Sequence, residues 1–319
     1  MHSNNTFYIA KHEDVIRRVE ELRSRSDELK SKLGHVLKQL WNTERDLGSV
    51  SDPAIFTGLK ARFPNFSEVI EYFESNAIAL HHLGMPFEAN PVLLIGEPGL
   101  GKTLFVSELA KAMALPFFDI SMNTMSASFA LTGGNLQWGD ASVGFIAKSL
   151  AGSPIANPIM MIDEIDKSGG SKHYNPMNAF YSLLEKHSAQ RFKDEALEIE
   201  MDVSRVIWVL TGNYIEDIPA PILSRMKIFT IKQPEIEDMP AVIQSIFLKI
   251  RDERAYGKAI ASELDESVIN RLADLQPRQV RMALEDAVLT AIMQHRYTIQ
   301  VTDIKSQRKE KRHGIGFTA

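Results

Sequence analysis

The stretch Gly96-Glu97-Pro98-Gly99-Leu100-Gly101-Lys102-Thr103 constrains what this chain can fold into more than any other. It follows the apolar run Pro91-Val92-Leu93-Leu94-Ile95 and precedes a helical pattern reaching about Ala114, so it reads as strand, tight loop, helix. The spacing is G-x-x-x-x-G-K-T, and each specified position has a physical job. Glycines let the backbone turn with its N–H groups inward, and a helix beginning near Gly101 adds the positive end of its dipole. Together they make an anion nest. The expectation is that Gly96, Glu97, Pro98, Gly99, Leu100, Gly101, Lys102, Thr103 and Leu104 cradle a polyphosphate. Lys102 would reach its outer phosphates, and the Thr103 hydroxyl would be a magnesium ligand.

A strand that opens in this way needs parallel neighbours, and the chain supplies candidates. Phe117-Phe118-Asp119-Ile120, Ile159-Met160-Met161-Ile162, Val206-Ile207-Trp208-Val209-Leu210 and Ile228-Phe229-Thr230-Ile231 are short apolar runs separated by helical patterns. That alternation predicts an α/β fold with a parallel sheet. The third strand ends in Asp163-Glu164, and parallel strands deliver functional groups at their carboxyl ends. Asp163 is expected to hold magnesium through water, and Glu164 to orient or deprotonate an attacking water. The fourth strand runs into Thr211-Gly212-Asn213, where the Asn213 amide is placed to position the same water; a turn asparagine is the plainer reading.

Around this centre the chain divides into further segments. Residues 1–51 are charged and, over 11–50, proline-free, with Val15, Val19, Leu22, Leu29, Leu33, Val36, Leu40 and Leu47 at alternating spacings of three and four. These predict a long helix, either of coiled-coil character or lying as one amphipathic helix on the main domain; Ser26 and Thr43 fall in its seam. Ser51-Asp52-Pro53 ends it. Residues 52–233 form the large α/β part, with a further helix over 64–83, and 234–304 form a small helical part with stripes at Val242, Ile243, Ile246, Phe247, Ile250 and at Val280, Leu284, Val288, Ile292. Residues 305–319 are a basic tail, read as solvated; its Ile315-Gly316-Phe317 resembles a tripeptide by which some unfoldases dock a peptidase. Arg191 to Glu200 reads as a short hairpin.

Composition narrows the partners. The 36 basic and 41 acidic residues give a net charge of −5, with no general attraction to nucleic acid or to an anionic membrane. The absence of cysteine excludes disulfides, thiol catalysis and cysteine-ligated zinc, and fits a reducing compartment. No leader-like start and no apolar stretch of bilayer length are present, so the expected location is cytoplasmic, without a membrane partner. His81, His82 and His173 lack ligand spacing.

From Pro91 to about Leu289 the chain resembles an AAA+ ATPase module, most closely that of the Lon family. Besides the phosphate loop and Asp163-Glu164, which match Walker A and Walker B, Asn213 matches sensor 1. In Pro221-Ile222-Leu223-Ser224-Arg225-Met226, Arg225 matches the arginine finger, and in Gln276-Pro277-Arg278-Gln279-Val280-Arg281, Arg278 matches sensor 2. Thr132-Gly133-Gly134, Gly144-Phe145-Ile146 and Met161 to Lys167 carry the likeness to Lon. Glu97 stands where that family has proline, and Ser224 where it has aspartate; neither change removes a catalytic group.

The resemblance implies an AAA+ sheet flanked by helices with a small α-helical lid, ATP and magnesium as cofactors, and hydrolysis of ATP to ADP and phosphate. It also implies a homo-oligomeric ring of six subunits acting on a polypeptide, with Trp138 as the aromatic residue of the first pore loop; filling a core is the plainer role for a tryptophan. The chain ends soon after the lid, so the Ser-Lys protease domain of that family is not expected, and degradation would need a separate peptidase or adaptor. Two other functions fit the same motifs: a nucleic-acid-linked loader or regulator, and a nucleotide-switched scaffold recruiting a partner through the N-terminal helix.

Overall fold

The protein's computed structural model describes residues 6–124, 129–135, 142–167 and 175–305; Trp138, His173 and Ile315-Gly316-Phe317 lie outside the described residues. Packing divides the chain into two units between Lys232 and Gln233.

In the first unit the chain runs through β1 (Thr6–Tyr8), α1 (His12–Arg23), α2 (Asp27–Leu40), β2 (Glu44–Asp46), α3 (Ile55–Arg62) and α4 (Ser67–His82). It continues through β3 (Val92–Ile95), α5 (Lys102–Ala112), β4 (Phe117–Ser121), α6 (Phe129–Thr132), α7 (Phe145–Gly152) and β5 (Ile159–Asp163). Next come α8 (Met177–Leu183), α9 (Lys186–Ala189), β6 (Phe192–Lys193), β7 (Glu200–Met201), β8 (Ile207–Gly212), α10 (Ala220–Leu223) and β9 (Lys227–Thr230).

Five of these strands form one parallel sheet in the order β4-β5-β8-β3-β9. Its three inner strands, β5, β8 and β3, are buried on both faces because helices cover both. Val92, Leu94, Ile159, Met161, Ile207 and Val209 enter a core with α3, α4 and α5, in which Phe66 stacks on Phe105 at 4.2 Å. The alternate residues Leu93, Ile95, Met160, Ile162, Trp208 and Leu210 enter a second core on the other face.

That second core corrects the expected long helix. Residues 12–40 form two helices, because Ser26 turns out of the first and caps the second, its Oγ accepting from Leu29 N at 3.4 Å. Val15, Leu22, Leu33, Val36 and Leu40 do not line a coiled-coil seam; they are buried in the same cluster as the sheet residues. Arg45 ties this segment to the sheet domain. Its buried guanidinium donates to Ser153 O at 2.9 Å, Glu44 O at 2.9 Å, Gln39 O at 3.1 Å and Ala151 O at 3.3 Å, and to Asn42 O. Gln39 and Ala151 lie in the last turns of α2 and α7, so one cation serves the negative ends of two helices.

The strands β6 and β7 form the short hairpin expected near residues 191–200, pairing Phe192 with Met201 and Lys193 with Glu200. Its loop holds the fully buried Asp194, whose carboxylate accepts from Gly144 N at 2.8 Å, Leu197 N at 2.9 Å and Ala196 N at 3.0 Å. Desolvation pushes its pKa up to about 6, against those three donors. A side chain at Gly133 would collide with this carboxylate, its Cβ falling 2.5 Å from Asp194 Oδ1.

The second unit is helical: α11 (Met239–Glu253), α12 (Glu266–Leu272) and α13 (Pro277–Met293) pack around Ile243, Phe247, Val268, Leu284 and Val288. Among the described residues no helix is long and apolar enough to cross a membrane.

Replacing Arg45 with methionine keeps the volume but leaves five carbonyls without their donor. We expect the Arg45→Met protein to lose about 3 kcal/mol in denaturant-unfolding titrations, because the buried carbonyls of Ser153 and Ala151 forfeit their solvation. Unchanged stability would mean that the guanidinium does not hold the N-terminal segment.

Candidate functional site

The loop after β3 is shaped by close approach. A β-carbon at Gly96 would fall 2.3 Å from Ile231 O, so only glycine lets the chain leave the sheet here. Gly101, at φ +89°, turns the backbone into α5. Lys102 opens that helix, and its buried side chain folds back under the loop. The ammonium donates to Gly96 O at 2.5 Å, Glu97 O at 3.1 Å and Asn213 Oδ1 at 3.1 Å. Burial pushes its pKa below the ordinary lysine value, against the pull of Asp163, Asp166 and Glu164.

Parallel register brings the other groups here. Ile95 pairs with Gly212 and Ile162 with Leu210, so the carboxyl ends of β3, β8 and β5 emerge side by side. Thr103 Oγ1 donates to Asp163 Oδ2 at 2.9 Å. The second Asp163 oxygen accepts from Thr211 Oγ1, and that hydroxyl accepts from Glu164 N at 3.0 Å. Glu164 itself has φ +56°, a conformation disfavoured for a residue with a β-carbon, which turns its side chain off the strand axis. Its carboxylate is held by Lys167 Nζ at 2.6 Å, and that pairing raises the lysine pKa.

Two polar atoms at this place are buried without a partner among the described residues, Asn213 Nδ2 and Asp166 Oδ1. The Asn213 amide therefore has one end on Lys102 and a donor to spare. Thr103 and Asp163 offer adjacent hard oxygen atoms, the donor chemistry that magnesium takes beside phosphate.

The structure thus brings together Lys102, Thr103, Asp163, Glu164 and Asn213. It does not bring Arg225 to them. That residue precedes β9, at the opposite end of the strands, where its Nε meets Glu185 Oε2 at 2.5 Å. Arg278 belongs to the second unit, exposed in the first turn of α13 and without an ion pair among the described residues. Its neighbour Arg281 is held by Glu253 at 2.6 Å and Glu285 at 3.2 Å. Reasoning from the sequence assigned no role to Thr211, Lys167 or Asp166. Thr211 was accessible in principle, since the parallel register that aligns β5 with β8 sets its hydroxyl beside Asp163.

Residues 92–233 match the family described as ATPase family associated with various cellular activities (AAA). This segment is an AAA-family domain. It is also related to Lon. The chain is 32% identical over 161 residues to the Lon protease of Chlamydia trachomatis serovar D, covering 50% of this chain and 20% of that protein. To the Lon protease of Mycoplasmopsis agalactiae it is 30% identical over 215 residues, covering 67% of this chain and 20% of that protein. The match thus spans about a fifth of the length of each of these relatives. Among solved structures, a RuvB mutant from Thermotoga maritima superposes with a TM-score of 0.51 at 15% identity, covering 75% of this chain and 67% of that one, a likeness of fold.

Thr211→Val removes both hydroxyl bonds at constant volume. We expect a loss of about 2 kcal/mol in urea unfolding, with Thr211→Ser restoring most of it. A Val variant as stable as the parent would show that the hydroxyl does not bind Asp163 to Glu164.

Proposed function

We propose that this chain is an ATP-hydrolysing motor subunit that works in a ring and pulls a polypeptide. The observation that carries the reading is the convergence of Lys102, Thr103, Asp163, Glu164 and Asn213 at the carboxyl ends of three parallel strands. Lys102 now rests on Gly96 O, Glu97 O and Asn213, contacts that a phosphate oxygen would replace, with gain because it carries charge. Thr103 and Asp163 would hold magnesium, which when bound supplies neutralisation of phosphate charge. Glu164 is the acceptor for the proton of the attacking water. Asn213, with its spare N–H, orients that water.

Arg225 is too far from its own phosphate loop to serve it and would act on the nucleotide of a neighbouring subunit, as an arginine finger does. Arg278, without an ion pair among the described residues, would report nucleotide state, while Arg281 is tied to Glu253 and Glu285 of its own unit. Residues 52–233 would form the ATPase part and 234–304 the lid. Trp138 remains the candidate grip on the polypeptide, on the basis of its sequence setting alone.

Glu164→Gln is expected to bind ATP as the parent does while hydrolysing it at least a hundredfold more slowly, measured by fluorescent-nucleotide titration and phosphate release. In the parent, a permanently unfolded polypeptide should stimulate phosphate release and duplex DNA should not. Stimulation by DNA alone would replace the polypeptide motor with a nucleic-acid-linked one.

A further inference from the structure

A cavity of about 440 Å³ lies at the amino ends of β3, β8 and β9, bounded in part by Pro91, Trp208 and Arg225. Three cations line it. Arg205 and Lys186 share one acceptor, Glu88 Oε2, at 3.0 and 3.6 Å. Arg225 has its own. Its Nε meets Glu185 Oε2 at 2.5 Å, and its Nη1 donates to Pro221 O one turn earlier. Nε and Nη1 are thus both engaged, and Nη2 has no partner among the described residues.

An arginine on a free side chain would sample many rotamers, and each must be given up before it can meet an anion. Glu185 sits on the short turn between α8 and α9, so the fold places its backbone beside Arg225 before any ligand approaches. The Arg225 and Glu185 side chains keep 30% and 49% of their exposure, a screened pair that adds little to stability. Its effect is orientation. We propose that Glu185 is a positioning residue for Arg225, holding the guanidinium by Nε so that its Nη2 group is presented to the nucleotide of a neighbouring copy of this chain. This rests on the reading of Arg225 as a residue that acts across the subunit boundary.

The proposal predicts which side of an interface a Glu185 lesion affects. Glu185→Ala should lower kcat for ATP on the order of tenfold with KM for ATP and Tm unchanged, and Glu185→Gln, which keeps an acceptor for Nε, should recover most of that loss. Mixing decides between positioning and mere structure. In rings of Glu185→Ala and Glu164→Gln subunits, some interfaces join an intact Arg225–Glu185 pair to an intact Glu164, so activity should exceed the sum of the two proteins alone. Rings of Glu185→Ala and Arg225→Ala subunits contain no such interface and should show no gain. The control is the mixture of Arg225→Ala with Glu164→Gln. If that control gains activity and the Glu185→Ala mixture with Glu164→Gln does not, Glu185 does not act through Arg225. If the control itself gains nothing, the action of Arg225 across subunits is wrong and the role of Glu185 falls with it. An unchanged kcat in Glu185→Ala would likewise overturn the proposal.

Discussion

The site depends on one buried ammonium group. Lys102 lies under the loop that follows β3, and every hydrogen bond it makes is to a group on a different strand end or on the loop itself. Desolvation opposes its charge, and three carboxylates nearby favour it. A cation in that balance is stabilised by any anion that displaces its carbonyl partners, which is why the loop is poised for phosphate and not for a neutral ligand. The glycine at position 96 is part of the same constraint, since the sheet is too close to Ile231 for any side chain there.

Asp163 extends that balance to the neighbouring strand. One oxygen faces Thr103 and the other Thr211, so α5, β5 and β8 are joined at a single carboxylate. The backbone N–H of Glu164 completes the junction, and its left-handed conformation is held by the hydroxyl of Thr211. Strain of this kind persists only where surrounding bonds over-determine it.

The N-terminal helices are part of the domain by the same physics that builds the sheet. Their apolar stripes enter the core on one sheet face, and Arg45 joins the ends of α2 and α7. Arg18, buried on α1, reaches Ala196 O at 3.1 Å in the hairpin loop that holds Asp194.

Much of this was legible in the sequence because it is local. The loop from Gly96 to Thr103, the five apolar runs and the acidic pair after Ile162 are patterns over a few residues, and short-range sterics and periodicity suffice to read them as strand, turn and helix. Whether Val15 to Leu40 formed a seam or a face of the core was not local: the same three-four spacing serves both, and only the presence of an uncovered sheet face decides. The break at Ser26 is local, since its hydroxyl accepts from Leu29 N and caps α2. Thr211, Lys167 and Glu185 carry no motif. Their roles follow from strand register and from which side chains meet across elements distant in sequence, and those distances exist only once the chain has folded.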